Sequence, residues 1–95
     1  MSLKRWATKR DANEGEIIEY LEKRGFSVYQ MDQPLDLLVG RNKKNYLVEV
    51  KTLKGKLTEP QEKFIKKWTG QFIVINSVGQ ARSFCDGVIF GTGLD

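Results

Sequence analysis

The segment DLLVGRNKKNYLVEVKT, residues 36–52, places three ionisable residues within two otherwise apolar runs. Asp36 opens the first run, and Glu49 and Lys51 lie in the second. Residues i and i+2 of a strand point to the same face, so we expect Glu49 and Lys51 to share one face. A carboxylate beside an amine suits acid–base or metal-assisted chemistry, and an ion pair on an exposed sheet surface is the structural alternative.

A hairpin in this segment would place two carboxylates opposite each other. If residues 41–44 form the loop, Gly40 pairs with Asn45 and Asp36 pairs with Glu49. Directly opposed residues have Cβ atoms roughly 4.5–5.5 Å apart, and like charges at that distance repel. A divalent cation would reverse this repulsion, because hard cations bind carboxylate and carbonyl oxygens. Lys51, one step further along the same face, would orient or deprotonate a water molecule. The structural alternative for Asp36 is that it is only a turn residue.

Composition limits the chemistry that this chain can perform. The 95 residues include no His and one Cys, so catalysis must use carboxylates, Lys, Tyr or a metal ion. With 40% hydrophobic and 29% charged residues, we expect one globular domain, residues 1–95. No apolar run approaches the ~20 residues that span a bilayer, and no apolar segment follows the basic N-terminus. We therefore expect no membrane contact and a reducing, cytoplasmic location.

The order of the predicted elements is αβββαβ, which indicates an α/β fold with a small mixed sheet flanked by helices. We predict a basic N-terminal arm at 1–10 and a C-terminal extension at 77–95 that contributes an oligomer contact. The predicted elements are helix 12–24, strands 26–30, 35–40 and 45–52, helix 59–69, strand 72–76 buried on both faces, and a short helix 78–84 before an irregular end.

Each of the first two helices directs one polar residue of its first turn toward the sheet. Glu14 lies on the stripe of Ile17, Ile18 and Leu21, whereas Glu16 lies off it. Gln61 lies in the same way on the stripe of residues 64, 65 and 68. The structural alternatives are capping boxes, formed by residues 11 and 14, by 13 and 16, or by 58 and 61.

The net charge of +4 is unevenly distributed. Residues 11–40 carry seven acidic and two basic side chains, whereas residues 41–67 carry nine basic and three acidic ones. An acidic centre between basic flanks predicts a cation site within a surface that binds a polyanion. A solvated surface of mixed charge is the alternative.

Together, Asp36, the triplet Glu49-Val50-Lys51 and the helical Glu14 resemble the pattern of the PD-(D/E)XK nuclease superfamily, in particular its small stand-alone, phage-type VRR-NUC members. The resemblance covers residues 8–76 and includes TKRDANEGEII, LDLLVG, YLVEVK and LTEPQ. The chain departs from the pattern where the family has Pro-Asp, because here the proline lies one residue earlier, at position 34. The aspartate itself is retained.

The resemblance implies a restriction-endonuclease-like fold and an Mg2+- or Mn2+-dependent DNA endonuclease that selects branched or junction DNA. It also implies a location in a bacterial cell or a phage-infected host. It implies that Glu14, Asp36, Glu49 and the carbonyl of Val50 hold the metal. Lys51 would contact the attacking water and the scissile phosphate, and Gln61 would assist at the edge of the site. The lysines that we expect to hold backbone phosphates are Lys43, Lys44, Lys54, Lys56, Lys63, Lys66 and Lys67.

Other functions compatible with the sequence are a non-catalytic DNA-binding module of the same fold, a subunit of a larger nuclease or packaging assembly, and a glycosidase that uses paired carboxylates. We also predict a homodimer that shares the apolar surface from Phe84 to Phe90, because so small a domain offers little area for gripping a branched substrate.

Overall fold

The computed structural model describes residues 12–91 and contains three helices and a four-stranded sheet. The predicted arm at 1–10 and Asp11 lie outside the described residues, as do residues 92–95. In chain order the elements are α1 Glu14–Lys23, β1 Ser27–Gln30, β2 Leu37–Arg41, β3 Lys44–Val50, α2 Glu59–Lys67, β4 Phe72–Ile75 and α3 Val78–Phe90. The predicted α/β class and αβββαβ order are confirmed, and the predicted short helix 78–84 is present as α3, which continues to Phe90.

The sheet is mixed, with the strand order β1-β2-β3-β4. Strands β1, β2 and β3 are antiparallel neighbours, and β4 pairs with β3 in parallel after the α2 crossover. The prediction that β4 is buried on both faces is wrong. It is an edge strand in which only Ile75 is buried, and Phe72 is 37% exposed.

The hairpin between β2 and β3 is tighter than predicted but keeps the predicted register. Its loop is the two residues Asn42 and Lys43, with φ values of +54° and +65°, and Arg41 pairs with Lys44. Positive φ at both positions is the requirement of a two-residue type I′ turn. Gly40 still pairs with Asn45, so every side chain keeps its predicted face.

The main core lies on one side of the sheet, which we call the core face. Helices α1 and α3 cover this face and bury residues of β2, β3 and β4. Its apolar residues are Ile17, Leu21, Phe26, Leu37, Val39, Tyr46, Val48, Val50, Ile75, Ala81, Phe84 and Cys85. The aromatic rings of Phe26 and Tyr46 lie 5.6 and 5.2 Å from that of Phe84, centroid to centroid.

The C-terminal part of the chain belongs to this core, so the prediction of an irregular extension after residue 84 is wrong. Ser77 begins α3 by accepting a hydrogen bond from the backbone N–H of Gln80, and Gly91 ends it with φ +70°. Phe84 and Cys85 are fully buried, and therefore they cannot form the predicted dimer contact. Phe90 is 69% exposed.

The opposite side of the sheet, which we call the α2 face, is thinly covered. It carries Leu47 and Glu49, which alternate with the core residues of β3. No residue of α2 is buried, although α2 is the helix on this side. None of the helices within residues 12–91 is long and apolar enough to span a membrane.

Candidate active site

The side chain of Glu49 is the most deeply buried charged group on the α2 face. The residue is 1% exposed, and its Oε2 atom accepts hydrogen bonds from Gln61 Nε2 at 2.7 Å and Lys51 Nζ at 3.1 Å. Its other oxygen, Oε1, is buried and has no hydrogen-bond partner. Glu49 and Lys51 do share a face, as predicted, but the alternative of an ion pair on an exposed surface is wrong.

The environment of Glu49 disfavours its anionic form. Burial raises the pKa of this carboxyl group, and the negative charge of Asp36 raises it further. The hydrogen bonds and charge of Lys51, with the hydrogen bond of Gln61, oppose the shift without cancelling it. An additional positive charge at this position would favour the carboxylate, because opposite charges stabilise the ionised form.

Asp36 lies just before β2, and its side chain, in place of a backbone carbonyl, accepts a hydrogen bond from a backbone N–H of β3. Its Oδ2 atom accepts a hydrogen bond from the backbone N–H of Val50 at 2.8 Å, and its own carbonyl accepts one from Met31 at 2.7 Å. The N–H and C=O of one strand residue point toward the same neighbour, so the Val50 carbonyl faces the same side as Asp36. Asp36 is therefore more than a turn residue after Pro34.

The backbone of Lys51 is fixed from two sides. Its N–H donates to the carbonyl of Ile75 at 3.0 Å, and its carbonyl accepts from Asn13 Nδ2 at 3.2 Å. Asn13 Nδ2 also donates to the carbonyl of Asn76 at 3.0 Å, and so one amide links α1 to the ends of β3 and β4. The capping box of residues 13 and 16 is wrong, because Asn13 makes no side-chain cap. Nothing in the local sequence distinguishes this long-range role from ordinary capping.

Gln61 performs both roles that the sequence allowed. Its Oε1 atom accepts from the backbone N–H of Thr58 at 2.9 Å, and the Thr58 hydroxyl accepts from the Gln61 N–H at 3.4 Å. This completes a capping box at the start of α2. The remaining group, Nε2, donates to Glu49. The prediction that Gln61 points toward the sheet is confirmed.

Glu14 is buried, with 3% exposure, whereas Glu16 is exposed, as their positions on α1 predicted. Gln30 Nε2 lies 3.5 Å from Glu14 Oε2. Within residues 12–91, however, no three Asp, Glu, His or Cys side chains form a group that could hold a metal ion. Glu14 therefore does not join Asp36 and Glu49 in one cluster. The apolar stripe that buries Glu14 directs it to the core face, opposite the face of Glu49.

The donors that do come together still fit a hard divalent cation. Glu49 offers a buried oxygen without a partner, and Asp36 and the Val50 carbonyl lie at the adjacent strand end. Mg2+ in proteins is commonly bound through only one or two carboxylates, with water and substrate phosphate completing its coordination. The fit therefore extends to Asp36, Glu49 and the Val50 carbonyl, but not to Glu14.

The seven lysines that were predicted to hold DNA are all exposed. Lys43 and Lys44 lie at the hairpin end of the sheet, about 17 Å along β3 from Glu49. Lys54 and Lys56 lie in the loop before α2, and the other three lie on α2, where Lys63 is 4.0 Å from Glu59. Their exposure fits both phosphate binding and solubility.

A cavity of about 430 Å³ adjoins the site. It lies between the β1–β2 connection and the first turns of α2, and Gln61 connects it to Glu49. Its walls are Asp32, Gln33, Pro34, Thr58, Pro60, Gln61 and Phe64. A ligand in this cavity would therefore lie beside the buried carboxylate.

Comparison of the chain with protein-family models, curated proteins and solved structures found no match. The resemblance to the PD-(D/E)XK superfamily therefore rests on the residues themselves. The structure brings Asp36, Glu49, Lys51 and Gln61 together at one end of the sheet.

Proposed function

We propose that this protein is a metal-dependent DNA endonuclease. The observation that carries the proposal is the buried carboxylate of Glu49, with one unpartnered oxygen, between Asp36 and Lys51. A fold gains no stability from such a group, because burial and a neighbouring negative charge both disfavour its ionised form. Binding of a cation and a phosphate would give this buried carboxylate a function.

The residues that would hold the ion are Asp36, Glu49 and the carbonyl of Val50. When bound, a divalent ion polarises the phosphate and lowers the pKa of a coordinated water. The chain contributes the positions of these oxygens, which are set by the ends of β2 and β3. Burial of Glu49 excludes water from the side of the site that faces the protein.

The reaction proposed is hydrolysis of a phosphodiester. A water oxygen bonds to phosphorus, the ester P–O bond on the opposite side breaks, and a proton passes to the leaving oxygen. The amine of Lys51 would contact the attacking water and a phosphate oxygen, where it offsets developing negative charge. Gln61 acts as a positioning residue, because its Nε2 atom donates to Glu49 while its Oε1 atom accepts from Thr58 in the capping box of α2.

DNA is the substrate that fits the charge of the chain. The exposed lysines near the site and on α2 suit contacts with phosphates, which fix the position of a nucleic acid without reading its sequence. Selectivity for branched DNA and assembly as a homodimer remain predictions from the resemblance and from size. A dimer would have to use Phe90 or another exposed surface, since Phe84 is in the core.

The test is incubation of the purified chain with labelled duplex, flap and four-way junction DNA in Mg2+, Mn2+ or EDTA. We expect cleavage only with a divalent ion. The variants Asp36→Ala and Glu49→Ala should abolish it, whereas Glu16→Ala, which removes an exposed carboxylate of α1, should not.

Two outcomes would contradict the proposal. Cleavage by Glu49→Ala at the wild-type rate would show that Glu49 and Lys51 form only an ion pair. Binding of DNA by the wild-type chain without cleavage in either metal would favour the non-catalytic module.

A further inference from the structure

The side chain of Asn13 completes the hydrogen bonding at the end of the β3–β4 pair. In a parallel pair, the N–H and C=O groups of one residue bond to two residues of the neighbouring strand that lie two positions apart. The N–H of Lys51 bonds to the carbonyl of Ile75, so its own carbonyl would accept from the N–H of residue 77. Ser77 instead begins α3, and within residues 12–91 its N–H makes no such bond. The amide of Asn13 donates to the Lys51 carbonyl in its place.

One nitrogen atom binds the ends of both strands, an arrangement that we call the Asn13 clamp. Asn13 Nδ2 carries two hydrogens and lies 3.2 Å from the carbonyl oxygen of Lys51 and 3.0 Å from that of Asn76. The N–H of Asn76 donates to the side chain of Gln80, on α3, at 2.8 Å. Side-chain amides of α1 and α3 therefore hold the end of the sheet at which Glu49 and Lys51 lie.

The clamp takes Asn13 away from the role that its position on α1 favours. An Asn that precedes the first turn of a helix ordinarily accepts a hydrogen bond from a backbone N–H of that turn. Asn13 makes no such cap, and its Oδ1 atom is buried without a partner among residues 12–91. Loss of a cap and a buried acceptor without a partner both lower stability. The side chain serves the strand ends at the expense of its own helix.

The residue that the clamp holds is the one that carries the amine of the site. Lys51 is the first residue after β3, and an irregular loop follows it up to α2. Its N–H and its carbonyl are both hydrogen-bonded, which fixes the backbone from which the side chain extends. The amine lies 3.1 Å from Glu49 Oε2, and 17% of the side chain is exposed. Without the clamp, the backbone of Lys51 would be held on one side only.

We propose that Asn13 is a positioning residue that fixes the amine of Lys51 against Glu49. It acts through the backbone of Lys51 and not on the metal or the substrate. An amide is required because it offers two N–H donors on one atom, whereas an ionised Asp offers none and Ser offers one. This inference rests on the proposed function only in giving Lys51 a part in cleavage, since the clamp holds the amine without metal or DNA.

The first test measures the clamp in EDTA, without DNA. Asn13→Asp keeps the size of the side chain and a residue that suits the start of α1, but it removes both donors. The amide hydrogen of Lys51 should exchange with deuterium about 5- to 30-fold faster in NMR spectra, the effect of losing one or two hydrogen bonds. The amide hydrogen of Leu47, which bonds to Gln71 at the other end of the β3–β4 pair, should exchange as in the wild type.

The second test follows the amine itself under the same conditions. An amine-acylating reagent labels the wild type and the variants, and mass spectrometry measures the rate at each lysine. Lys51 should react several-fold faster in Asn13→Asp, because its amine leaves the ion pair with Glu49. Lys63, whose side chain is 74% exposed, is the internal standard and should react equally in all proteins.

Two further variants separate the loss of the donors from the added charge. Asn13→Ala removes the donors without adding a charge and should release Lys51 as Asn13→Asp does. Asn45→Asp adds the same charge at an exposed position of β3 and should leave the labelling of Lys51 at the wild-type rate.

The third test asks whether the clamp acts on cleavage through Lys51. Asn13→Ala should slow single-turnover cleavage in Mg2+ by about 10- to 100-fold, the effect of a misplaced group, and leave the Kd for Mn2+ in calorimetry unchanged. In Lys51→Ala the same substitution should cause no further loss, because residues that act through one another are not additive. A general loss of structure would lower the rate by the same factor in both backgrounds.

Wild-type exchange and labelling of Lys51 in both Asn13 variants would overturn the proposal. So would faster labelling with a cleavage rate that is unchanged, or that falls equally in both backgrounds. If the wild type cuts no DNA in Mg2+ while Asn13→Asp releases the Lys51 amine, the positioning by Asn13 stands and the proposed function is removed. If the wild type cuts DNA and the Asn13 variants change neither the amine nor the cleavage rate, the reverse holds.

Discussion

Glu49 is a carboxylate that the fold buries without satisfying it. Lys51 and Gln61 both bind its Oε2 atom, and Oε1 has no partner. A buried acceptor without a partner costs about 1–3 kcal/mol. At the residue scale, therefore, stability and function should oppose each other at this position.

Glu49→Gln should make the metal-free protein more stable at neutral pH. The folded pKa of Glu49 lies above its unfolded value of about 4.3, so the native state binds more protons than the unfolded chain between these two values. The free energy of unfolding of the wild type therefore falls as pH rises through this window. Urea unfolding of both proteins at several pH values should show this decrease in the wild type and a smaller one in Glu49→Gln.

The exposed Glu16→Gln, which also removes one carboxylate, is the control and should leave the pH dependence as in the wild type. If Glu49→Gln is less stable than the wild type at pH 7 and equally stable near pH 4, the ion pair with Lys51 outweighs burial. The assigned direction of the pKa shift would then be incorrect.

Lys51→Ala should slow the chemical step and leave metal binding nearly unchanged. The amine contacts Glu49 at 3.1 Å and is proposed to act on the water and the phosphate rather than on the ion. Loss of one such group costs on the order of 100-fold or more in rate. Single-turnover cleavage and calorimetry with Mn2+ measure the two quantities. Loss of both Mn2+ binding and cleavage would instead show that Lys51 maintains the structure of the site.

Gln61→Glu should keep the start of α2 and disturb the site. Glutamate also completes a capping box, but it has no N–H to donate to Glu49 and brings a second negative charge to it. We expect unchanged helix content in circular dichroism and a cleavage rate reduced at least tenfold at neutral pH. Wild-type activity in Gln61→Glu would show that Gln61 serves only as a helix cap.

At the scale of elements, α3 determines whether the domain folds. Phe84 contacts Phe26 and Tyr46 in the centre of the core. Phe84→Ala should lower the free energy of unfolding by about 3–5 kcal/mol, the usual cost of deleting a buried Phe. Phe90→Ala, at an exposed position of the same helix, should change it by less than about 0.5 kcal/mol. Urea unfolding measures both, and equal effects would contradict the assignment of Phe84 to the core.

The sequence predicted some elements better than others for physical reasons. The β2–β3 register followed from alternation, because a slip of one residue would expose Val48 and Val50. The end of α3 was missed because Gly87 interrupts the apolar residues after position 84 and weakens the helical pattern. Asn13 was missed because its partners lie 38 and 63 residues away, which no local pattern reveals.

Glu14 shows the limit of reasoning from one helix. Its apolar stripe correctly predicted that it is buried, but the stripe alone does not tell which face of the sheet α1 covers. Since α1 covers the core face and Glu49 points to the other, the two carboxylates do not form one metal-sized group. To predict whether Glu14 lies beside Glu49, one must know which helices cover each face of the sheet.

At the scale of the whole molecule, the proposed cation site predicts that a divalent ion raises the free energy of unfolding. A ligand that binds only the folded state stabilises it by RT ln(1 + [L]/Kd), which is about 2.7 kcal/mol at 100 times Kd. Mn2+ should therefore raise the midpoint of urea unfolding of the wild type and leave that of Glu49→Gln nearly unchanged. Ca2+ and Na+ at matched ionic strength distinguish site binding from screening. An equal shift in both proteins would place the ion elsewhere.

The shallow attachment of α2 has a kinetic consequence. The helix buries none of its residues, and the hydrogen bond from Gln61 to Glu49 links its first turn to the sheet. Segments with few buried contacts open locally at a small fraction of the global unfolding free energy. Amide hydrogens of α2 should therefore exchange with deuterium much faster than those of α1. Each such opening would admit bulk water to Glu49, so the lifetime of the closed helix would limit how long a substrate stays engaged.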